Sequence, residues 1–390
     1  MAKRVKKNAK VPNKRLQPNL RFKEFMDEWN RRRLEEVAEV SSGGTPSRNN
    51  DSYWNGDIPW VSTTLIDFNL ITDTEKKITE EGLRNSSAKL FTKGSLLMAM
   101  YGQGKTRGKV AMLGIDATTN QACASIMANR EILDSSFLFQ NLSKRYHEIR
   151  DLSNKGGQEN LSGTIIKGIE ISFPSLIEQK RIADFFSFIN ERILTQNKII
   201  EGLKSFKVSL RNRLFEPIPN RENEALQIKD ILEYEQPTKY LVSNTNYSPD
   251  SSFTPVLTAN KAFVLGYTDE GFGIYNKGEC IIFDDFTMDM KYVDFPFKVK
   301  SSAIKILTPK PNVNLKFIFE YLTFLDLRAG GHKRHYISEI EPKIIALPDI
   351  NKQNNTAKIL SIIDQKIEIE TTILNLFTKQ KQYLLQQMFI

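Results

Sequence analysis

The sequence contains little cysteine or histidine and lacks a long hydrophobic run. Cys123 and Cys280 are the only cysteines, too few for a disulfide framework or a cysteine-built zinc site. No apolar stretch approaches the roughly 18–20 residues that cross a bilayer. The basic amino terminus is not followed by the apolar segment of a secretory signal. We therefore expect a cytoplasmic protein without a membrane association.

The usual signs of catalysis are also missing. No two prolines are consecutive, which excludes the Asn/Asp-Pro-Pro-aromatic tetrad of a methyltransferase. His332 and His335 lack a third ligand at the spacing that a zinc site requires. Asp284, Asp285 and Asp289 follow a strand-like segment without the separated carboxylates and lysine of a two-metal nuclease, so we interpret them as a turn. The sequence thus predicts no catalytic residue, metal site or cofactor in this chain.

Positive charge is unevenly distributed. The formal net charge is +9, but residues 1–21 contain eight basic residues and no acidic one, so we interpret them as a flexible basic tail. Two later stretches, residues 84–109 and 298–316, also carry several lysines or arginines without an acidic residue. Such stretches either neutralise DNA phosphates or form an ordinary solvated face.

An internal duplication organises the chain. Residues 156–215 align without a gap on residues 330–389, and 14 of the 60 aligned positions are identical. The identities include Pro174 with Pro348 and Gln179 with Gln353. Each copy begins with a glycine-containing loop, continues as a short strand, and passes at its proline into a long helical pattern. A single offset held over this length indicates two related structural units.

Both copies predict a long helix with a heptad seam. Apolar residues recur at alternating spacings of four and three over more than four heptads, as in coiled coils. Polar residues interrupt both seams at matching places, Gln196 with Glu370 and Lys207 with Lys381, which favours one fixed register. The predicted interface residues of the helices are Ile182, Phe186, Ile189, Ile193, Ile200, Leu203, Leu360, Ile363, Ile367, Leu374, Phe377 and Leu384.

The order of these parts predicts an α+β fold with a pseudo-two-fold repeat. A helix of about 38–40 residues is ~60 Å long and cannot be buried alone, so the two helices pair. If one compact domain connects them, they run antiparallel, as in a helical hairpin. The predicted domains are a basic tail (1–21), a β-rich head (22–173), a central spacer helix (174–215), a second β-rich head (216–347) and a distal spacer helix (348–390).

One segment resembles a nucleotide site and is better interpreted as a DNA contact. Residues 99–106 fit a loose phosphate-loop pattern, but the residues after Lys105-Thr106 are typical of a strand, whereas a phosphate loop needs a helix there. We interpret the segment as a hairpin with a basic tip; a tip without a ligand is the alternative. A similar loop covers residues 330–336. Arginine and glutamine read base edges, and lysine and threonine suit phosphates. The candidate DNA-binding residues are Tyr101, Gln103, Lys105, Thr106, Arg107, Lys109, His332, Lys333, Arg334 and His335.

Two segments resemble a known family. Residues 174–183, Pro-Ser-Leu-Ile-Glu-Gln-Lys-Arg-Ile-Ala, resemble the signature of type I restriction-modification DNA specificity subunits, in which proline, Glu-Gln and isoleucine open each spacer helix. Residues 41–62 resemble the start of that family's first target-recognition domain. The second junction keeps Gln353 but has Lys352 in place of the glutamate.

The resemblance implies a function in DNA recognition. Each head is expected to read one half of a bipartite double-stranded DNA site, while the helices set the gap. Two methyltransferase subunits that use S-adenosylmethionine, and restriction subunits that use ATP and Mg²⁺, are the implied partners. Two alternatives remain: a coiled-coil adaptor whose heads bind proteins, and a P-loop ATPase.

Overall fold

The computed structural model describes residues 16–102, 105–153, 160–216, 224–260, 262–331 and 333–390. Most of the predicted basic tail, the glycine pair Gly156-Gly157, and the candidates Gln103 and His332 lie outside the described residues. The chain divides into two compact units. The first unit comprises residues 1–196 with 373–390, and the second comprises residues 197–372.

The first head, in the first unit, is built from ten strands and five short helices over its described residues. Its strands are β1 (Asn30–Arg33), β2 (Ala38–Ser42), β3 (Trp54–Val61), β4 (Leu70–Ile71), β5 (Lys77–Ile78), β6 (Leu96–Ala99), β7 (Val110–Leu113), β8 (Thr118–Thr119), β9 (Cys123–Ala128) and β10 (Glu170–Phe173). Its helices are α1 (Leu34–Val37), α2 (Glu80–Arg84), α3 (Ser135–Lys144), α4 (Tyr146–Asp151) and α5 (Gly163–Lys167).

The strands of the first head form three sheets. A five-stranded sheet has the order β2-β9-β6-β7-β4, a three-stranded sheet has the order β5-β3-β8, and β1 pairs with β10. The interior strands are almost wholly apolar; every residue of β6 is buried, as expected for strands covered on both faces. The pair β1-β10 brings the two ends of the head together and leads directly into the following long helix.

That helix, α6 (Leu176–Phe215), leads to the second head in the second unit. The strands of this head are β11 (Glu224–Gln227), β12 (Leu232–Glu235), β13 (Thr254–Leu257), β14 (Val264–Thr268), β15 (Cys280–Asp284), β16 (Met290–Val293), β17 (Lys298–Val299), β18 (Ile304–Pro309) and β19 (Ile344–Leu347). Its helices are α7 (Ile228–Ile231) and α8 (Leu315–Phe324), and the chain closes with α9 (Ile350–Met388).

The two heads share one plan although their sequences have little in common. The second head contains a four-stranded sheet in the order β12-β18-β15-β16 and a three-stranded sheet in the order β14-β13-β17, and β11 pairs with β19. These correspond in order to β2-β9-β6-β7, to β5-β3-β8, and to β1-β10. Different apolar residues fill equivalent buried positions, which keeps the hydrophobic pattern while the identities are lost. The duplication seen in the helices therefore includes the heads.

The two long helices run antiparallel. In the first unit, the ring of Phe186, near the start of α6, lies 5.9 Å from that of Phe389, just after the end of α9. In the second unit, Lys207 late in α6 forms an ion pair of 2.6 Å with Asp364 early in α9. Later residues of α6 thus contact earlier residues of α9, as the connectivity predicts.

Burial follows the heptad pattern along both helices. Every residue that the sequence places in the seam is buried or half-buried, including the polar interruptions Gln196 and Glu370. Residues on the outer face are exposed even when apolar, as Phe188 and Leu194 show at 66% and 61%. Within the described residues, no helix combines the length and the hydrophobicity needed to cross a bilayer.

Candidate nucleic-acid interface

The hairpin in the first head connects two interior strands of the larger sheet. Strands β6 and β7 are antiparallel neighbours, with Leu96 opposite Met112. Residues 105–108 form turns, and the chain then enters β7 at Val110. Since a strand and not a helix follows Lys105, this part of the chain has the hairpin geometry predicted above and not that of a phosphate loop.

The tip presents fewer of the predicted residues to solvent than the sequence suggested. Tyr101 is 41% exposed and Lys105 is exposed, while Thr106 is half-buried. Arg107 is only 3% exposed. The tip lies against α4, where the hydroxyl of Tyr146 donates a hydrogen bond of 2.6 Å to the carbonyl oxygen of Lys105. The structure therefore corrects Arg107 from a surface contact to a buried residue.

Lys109 is also engaged within the head. Its ammonium group pairs with the carboxylate of Asp67 and lies 5.8 Å from the ring centroid of Phe68. Only 21% of the Lys109 side chain is exposed. The lysine therefore fixes the start of β7, and a phosphate would have to compete with Asp67 for it.

In the second head, the candidate loop divides into an exposed part and a buried part. His335 is fully buried, with Nε2 at 3.1 Å from the Gly331 carbonyl oxygen and Nδ1 at 3.1 Å from a carboxylate oxygen of Glu339. The structure thus corrects His335 from a DNA contact to a support beneath the loop. Lys333 and Arg334 are exposed and remain the candidates on this surface.

The aspartates at the end of β15 organise the same loop. Asp284 accepts hydrogen bonds from the backbone amides of two following residues, as in a tight turn. Asp285, which is buried, accepts from the amides of His335 and Tyr336 at 3.0 and 2.8 Å, and Lys305 lies 3.6 Å away. These contacts confirm the turn interpretation, because the carboxylates are occupied by the backbone and a lysine.

The second basic stretch is largely internal. Lys298 and Lys305 are 0% and 1% exposed, and Lys298 pairs with Glu270 at 2.6 Å. Lys305 lies on β18, between β12 and β15, and is 3.6 Å from Asp285, which directly follows β15. The expectation that this stretch neutralises phosphates is therefore wrong for these two lysines; Lys300 is exposed.

A repeated glutamine holds each head on its helix. Gln179 accepts a hydrogen bond of 2.8 Å from the amide of Asp134 and donates to the carbonyl oxygen of Pro174 at 2.9 Å. Gln353 makes the same two contacts, with the Asn314 amide at 2.9 Å and the carbonyl of its own preceding proline at 2.8 Å. Asp134 and Asn314 in turn cap α3 and α8. The sequence signal for this role is the identity of the glutamine in both copies.

The glutamate beside this glutamine differs between the copies. Glu178 is 1% exposed and accepts two hydrogen bonds of 2.7 Å from the guanidinium of Arg21. Lys352, at the equivalent place, is exposed. The glutamate of the motif thus serves to hold the segment that precedes the first head.

An ionic cluster in the second unit joins α8 to both long helices. Glu320 of α8 is fully buried and lies 2.8 Å from Lys207, 2.7 Å from Arg211 and 3.4 Å from Lys316. Asp364 completes the cluster. Burial favours its neutral form, but hydrogen bonds from Lys207 and Lys316 hold the pKa of Asp364 below its ordinary value. The equivalent helix of the first head carries an uncharged residue, Gln140, here.

A comparison with protein families decides the assignment. The family model for the type I restriction modification DNA specificity domain matches residues 26–205 and, separately, residues 220–378. Each match takes in one head with most of the long helix that follows it. The chain belongs to this family. Within the described residues, no group of three or more His, Cys, Asp or Glu side chains is placed to hold a metal ion.

Individual members of the family are similar over different lengths. The chain is 42% identical over 180 residues to the EcoR124I/EcoR124II specificity subunit of Escherichia coli, a match covering 43% of this chain and 44% of that protein. It is 28% identical over 214 residues to the MjaIX specificity subunit of Methanocaldococcus jannaschii, covering 54% and 49%. The matches thus span about half the length of these two relatives. The putative MjaX specificity subunit of the same organism is 24% identical over 382 residues, with 89% of each chain covered.

Solved structures have the same fold. The type I restriction-modification S subunit from M. genitalium superposes with a TM-score of 0.62 at 16% identity, covering 96% of this chain and 99% of that chain. A chain from a structure of type I system assembly and conformational transition superposes with a TM-score of 0.56 at 16% identity, covering 93% and 97%. These matches confirm two β-rich heads combined with two long helices.

Proposed function

We propose that this chain is the non-catalytic DNA reader of a type I restriction-modification complex. Each head reads one half of a bipartite double-stranded DNA site, and the helix pair sets the gap between the halves. The observation that carries this proposal is the double match of the DNA specificity domain to two heads of one plan. Two heads with different surface residues suit two different half-sites.

The catalytic steps belong to the partners in this proposal. Two methyltransferase subunits supply S-adenosylmethionine chemistry on flipped adenines, and restriction subunits supply ATP- and Mg²⁺-dependent translocation and cleavage. The specificity family and the antiparallel repeat support this division of labour. The hairpin at 105–113 argues against the ATPase alternative, since a phosphate loop needs a helix at that point. A protein-binding adaptor would not require affinity for DNA, which the following experiment measures.

Replacing Lys105 by glutamine is expected to weaken DNA binding to a similar extent for all sequences. Lys105 is exposed at the hairpin tip, a position suited to a phosphate contact. The loss of one such contact reduces the slope of the logarithm of the DNA-binding constant against the logarithm of the salt concentration by about 1. The measurement is binding of the full chain to duplex DNA by fluorescence anisotropy at several salt concentrations.

The matched control is Lys358→Gln, which removes an exposed lysine from the outer face of α9. An unchanged slope for Lys105→Gln would remove the hairpin tip from the interface. Wild-type protein without measurable affinity for duplex DNA would overturn the proposed function and favour the adaptor.

A further inference from the structure

A cleft in the first head has the features of a base-reading site, and none of the candidate residues above lies in it. It opens where the parallel strands β3 and β8 end, with Trp60 opposite Thr118 and Val61 opposite Thr119. Its volume is about 470 Å³, and Arg48, Trp60, Thr63, Lys76 and Asn120 are among the residues that line it. A second cavity of about 310 Å³ shares Arg48 and Lys76 and continues toward Trp54.

Two glycines fix one wall of this cleft. A Cβ atom on Gly43 would lie 2.1 Å from the carbonyl oxygen of Thr119, and one on Gly44 would lie 2.3 Å from the backbone of Ser87. The amide of Gly44 donates to the Thr119 carbonyl oxygen at 2.8 Å. Because the backbone passes so close to the strand, only glycine fits at these positions. The Gly43-Gly44 pair thus positions the loop that carries Arg48. This pair lies in residues 41–62, the segment that resembles the family's first recognition domain.

Hydrogen bonds and ring packing also fix the floor of the cleft. Trp60 is buried, and its indole nitrogen donates a hydrogen bond of 3.1 Å to the carbonyl oxygen of Gly44. Trp54 packs edge-to-face on it, with ring centroids 5.3 Å apart, and donates to the carbonyl oxygen of Ser47 at 3.1 Å. A surface built this way is preorganised, and binding to it costs little ordering.

The side chains in the cleft are those that read base edges. The side chains of Arg48 and Lys76 make no hydrogen bond or ion pair with any residue that the structure describes, so both cations are available to a ligand. Arginine pairs with the O6 and N7 atoms of guanine, asparagine with adenine, and threonine with several bases or the thymine methyl group. The Oδ1 atom of Asn120 accepts from the amide of Ala122 at 3.1 Å, which leaves its amide nitrogen to donate. Glu75, also in the cleft, is suited to accept from the cytosine amino group.

The second head has the same parallel strand pair. Its strands β13 and β17 are parallel, with Val256 opposite Lys298 and Leu257 opposite Val299, as β3 and β8 are in the first head. The exposed residues that follow these strands are Asn260 and Lys300. A residue with an amide side chain thus follows one strand of this pair in each head, Asn120 in the first and Asn260 in the second.

We propose that the cleft at the ends of β3 and β8 reads the bases of the half-site assigned to the first head, with Arg48 and Thr63 as specificity-determining residues. Lys76 contacts the adjoining phosphate, as Lys105 does from the hairpin. The inference rests on the proposed function, because it names the surface through which that function is performed.

The test is selection of sequences by the full chain from a pool of duplex DNA with a randomised centre. Arg48→Gln and the isosteric Thr63→Val are compared with wild type, and Lys23→Gln is the control for loss of an exposed positive charge outside the cleft. Each cleft variant is expected to reduce the preference for the wild-type base at one position of one half-site by about 5- to 100-fold. The bases selected in the other half-site are expected to stay unchanged. Thermal unfolding checks that each variant is folded. If Arg48→Gln is unstable, Thr63→Val still tests the cleft, because valine has nearly the same shape as threonine.

The two possible failures are distinguishable. If wild type selects a gapped motif and both folded cleft variants select the same motif with wild-type preference, the cleft is not the reading surface, while the proposed function stands. If wild type enriches no sequence, the proposed function falls and the cleft assignment with it.

Discussion

The Glu320→Ala variant is expected to lose about 3–5 kcal/mol of the free energy of unfolding, because it leaves buried cations without their shared carboxylate. Glu320 is fully buried and contacts Lys207, Arg211 and Lys316. Asp364 alone would then face these three cations, of which it contacts two. The measurement is the urea-induced unfolding transition of the second unit in the full chain.

Two further variants separate charge from packing. Glu201→Ala removes an exposed glutamate that pairs with Lys204 at 3.0 Å, and it is expected to cost less than about 1 kcal/mol. Glu320→Gln keeps the side-chain volume and introduces the residue type that the first head has at Gln140. Its loss in the free energy of unfolding is expected to lie between the losses of the two alanine variants. If Glu320→Ala lost no more unfolding free energy than Glu201→Ala, this would contradict the assignment of Glu320 as the ionic link between α8 and the long helices.

Exchange of the second head is expected to change one half of the DNA motif completely and leave the other half intact. The exchanged segment, residues 216–347, contains the pair β11-β19 that closes the head, so both junctions fall outside its sheets. The graft must keep the contacts with the helices, which means a glutamate at position 320 and a capping residue at position 314, whose amide binds Gln353. The measurement is the motif selected from randomised duplex DNA.

The control for this exchange is the same graft with glutamine at position 320, which weakens the attachment of the head without altering its reading surface. It is expected to select the same new half-motif with lower affinity. A change in both halves after the exchange would contradict independent reading by the two heads, and so would a change in neither half.

The long helices could be predicted because the relevant signal is periodic and local. Heptad spacing places residues such as Ile182 and Leu360 on one face regardless of what the rest of the chain does, and the duplication shows that both helices follow the same rule. The proline at each junction marks where each helix begins. Antiparallel pairing then follows from the connection through one compact domain.

The site could be predicted only in part. A stretch of sequence without acidic residues, such as 298–316, can still fold next to acidic residues from other parts of the chain. Lys298 and Lys305 meet Glu270 and Asp285, which lie on other segments brought close by the sheet. The burial of His335 likewise depends on Asp285 and its neighbours, 50 residues earlier in the chain. Local charge thus identified exposed Lys105 correctly as a surface residue but could not distinguish it from buried lysines.

The cleft has no sequence signal for a related reason. Its lining comes from four separate segments around Arg48, Thr63, Lys76 and Asn120, none of which is a dense basic cluster. The Gly-Gly pair at 43–44 was visible in the sequence, but its purpose depends on how closely the backbone passes Thr119 and Ser87. Such long-range proximity is a property of the fold and has no local signature.

The most direct test of the account is the DNA motif recognised by the wild-type chain. Selection by the full chain from duplex DNA with a long randomised centre, followed by sequencing, reports that motif without prior assumptions. Two heads of one plan with different surfaces predict an asymmetric motif of two short specified segments separated by a gap of fixed length. A single uninterrupted motif, or binding without sequence preference, would contradict the account.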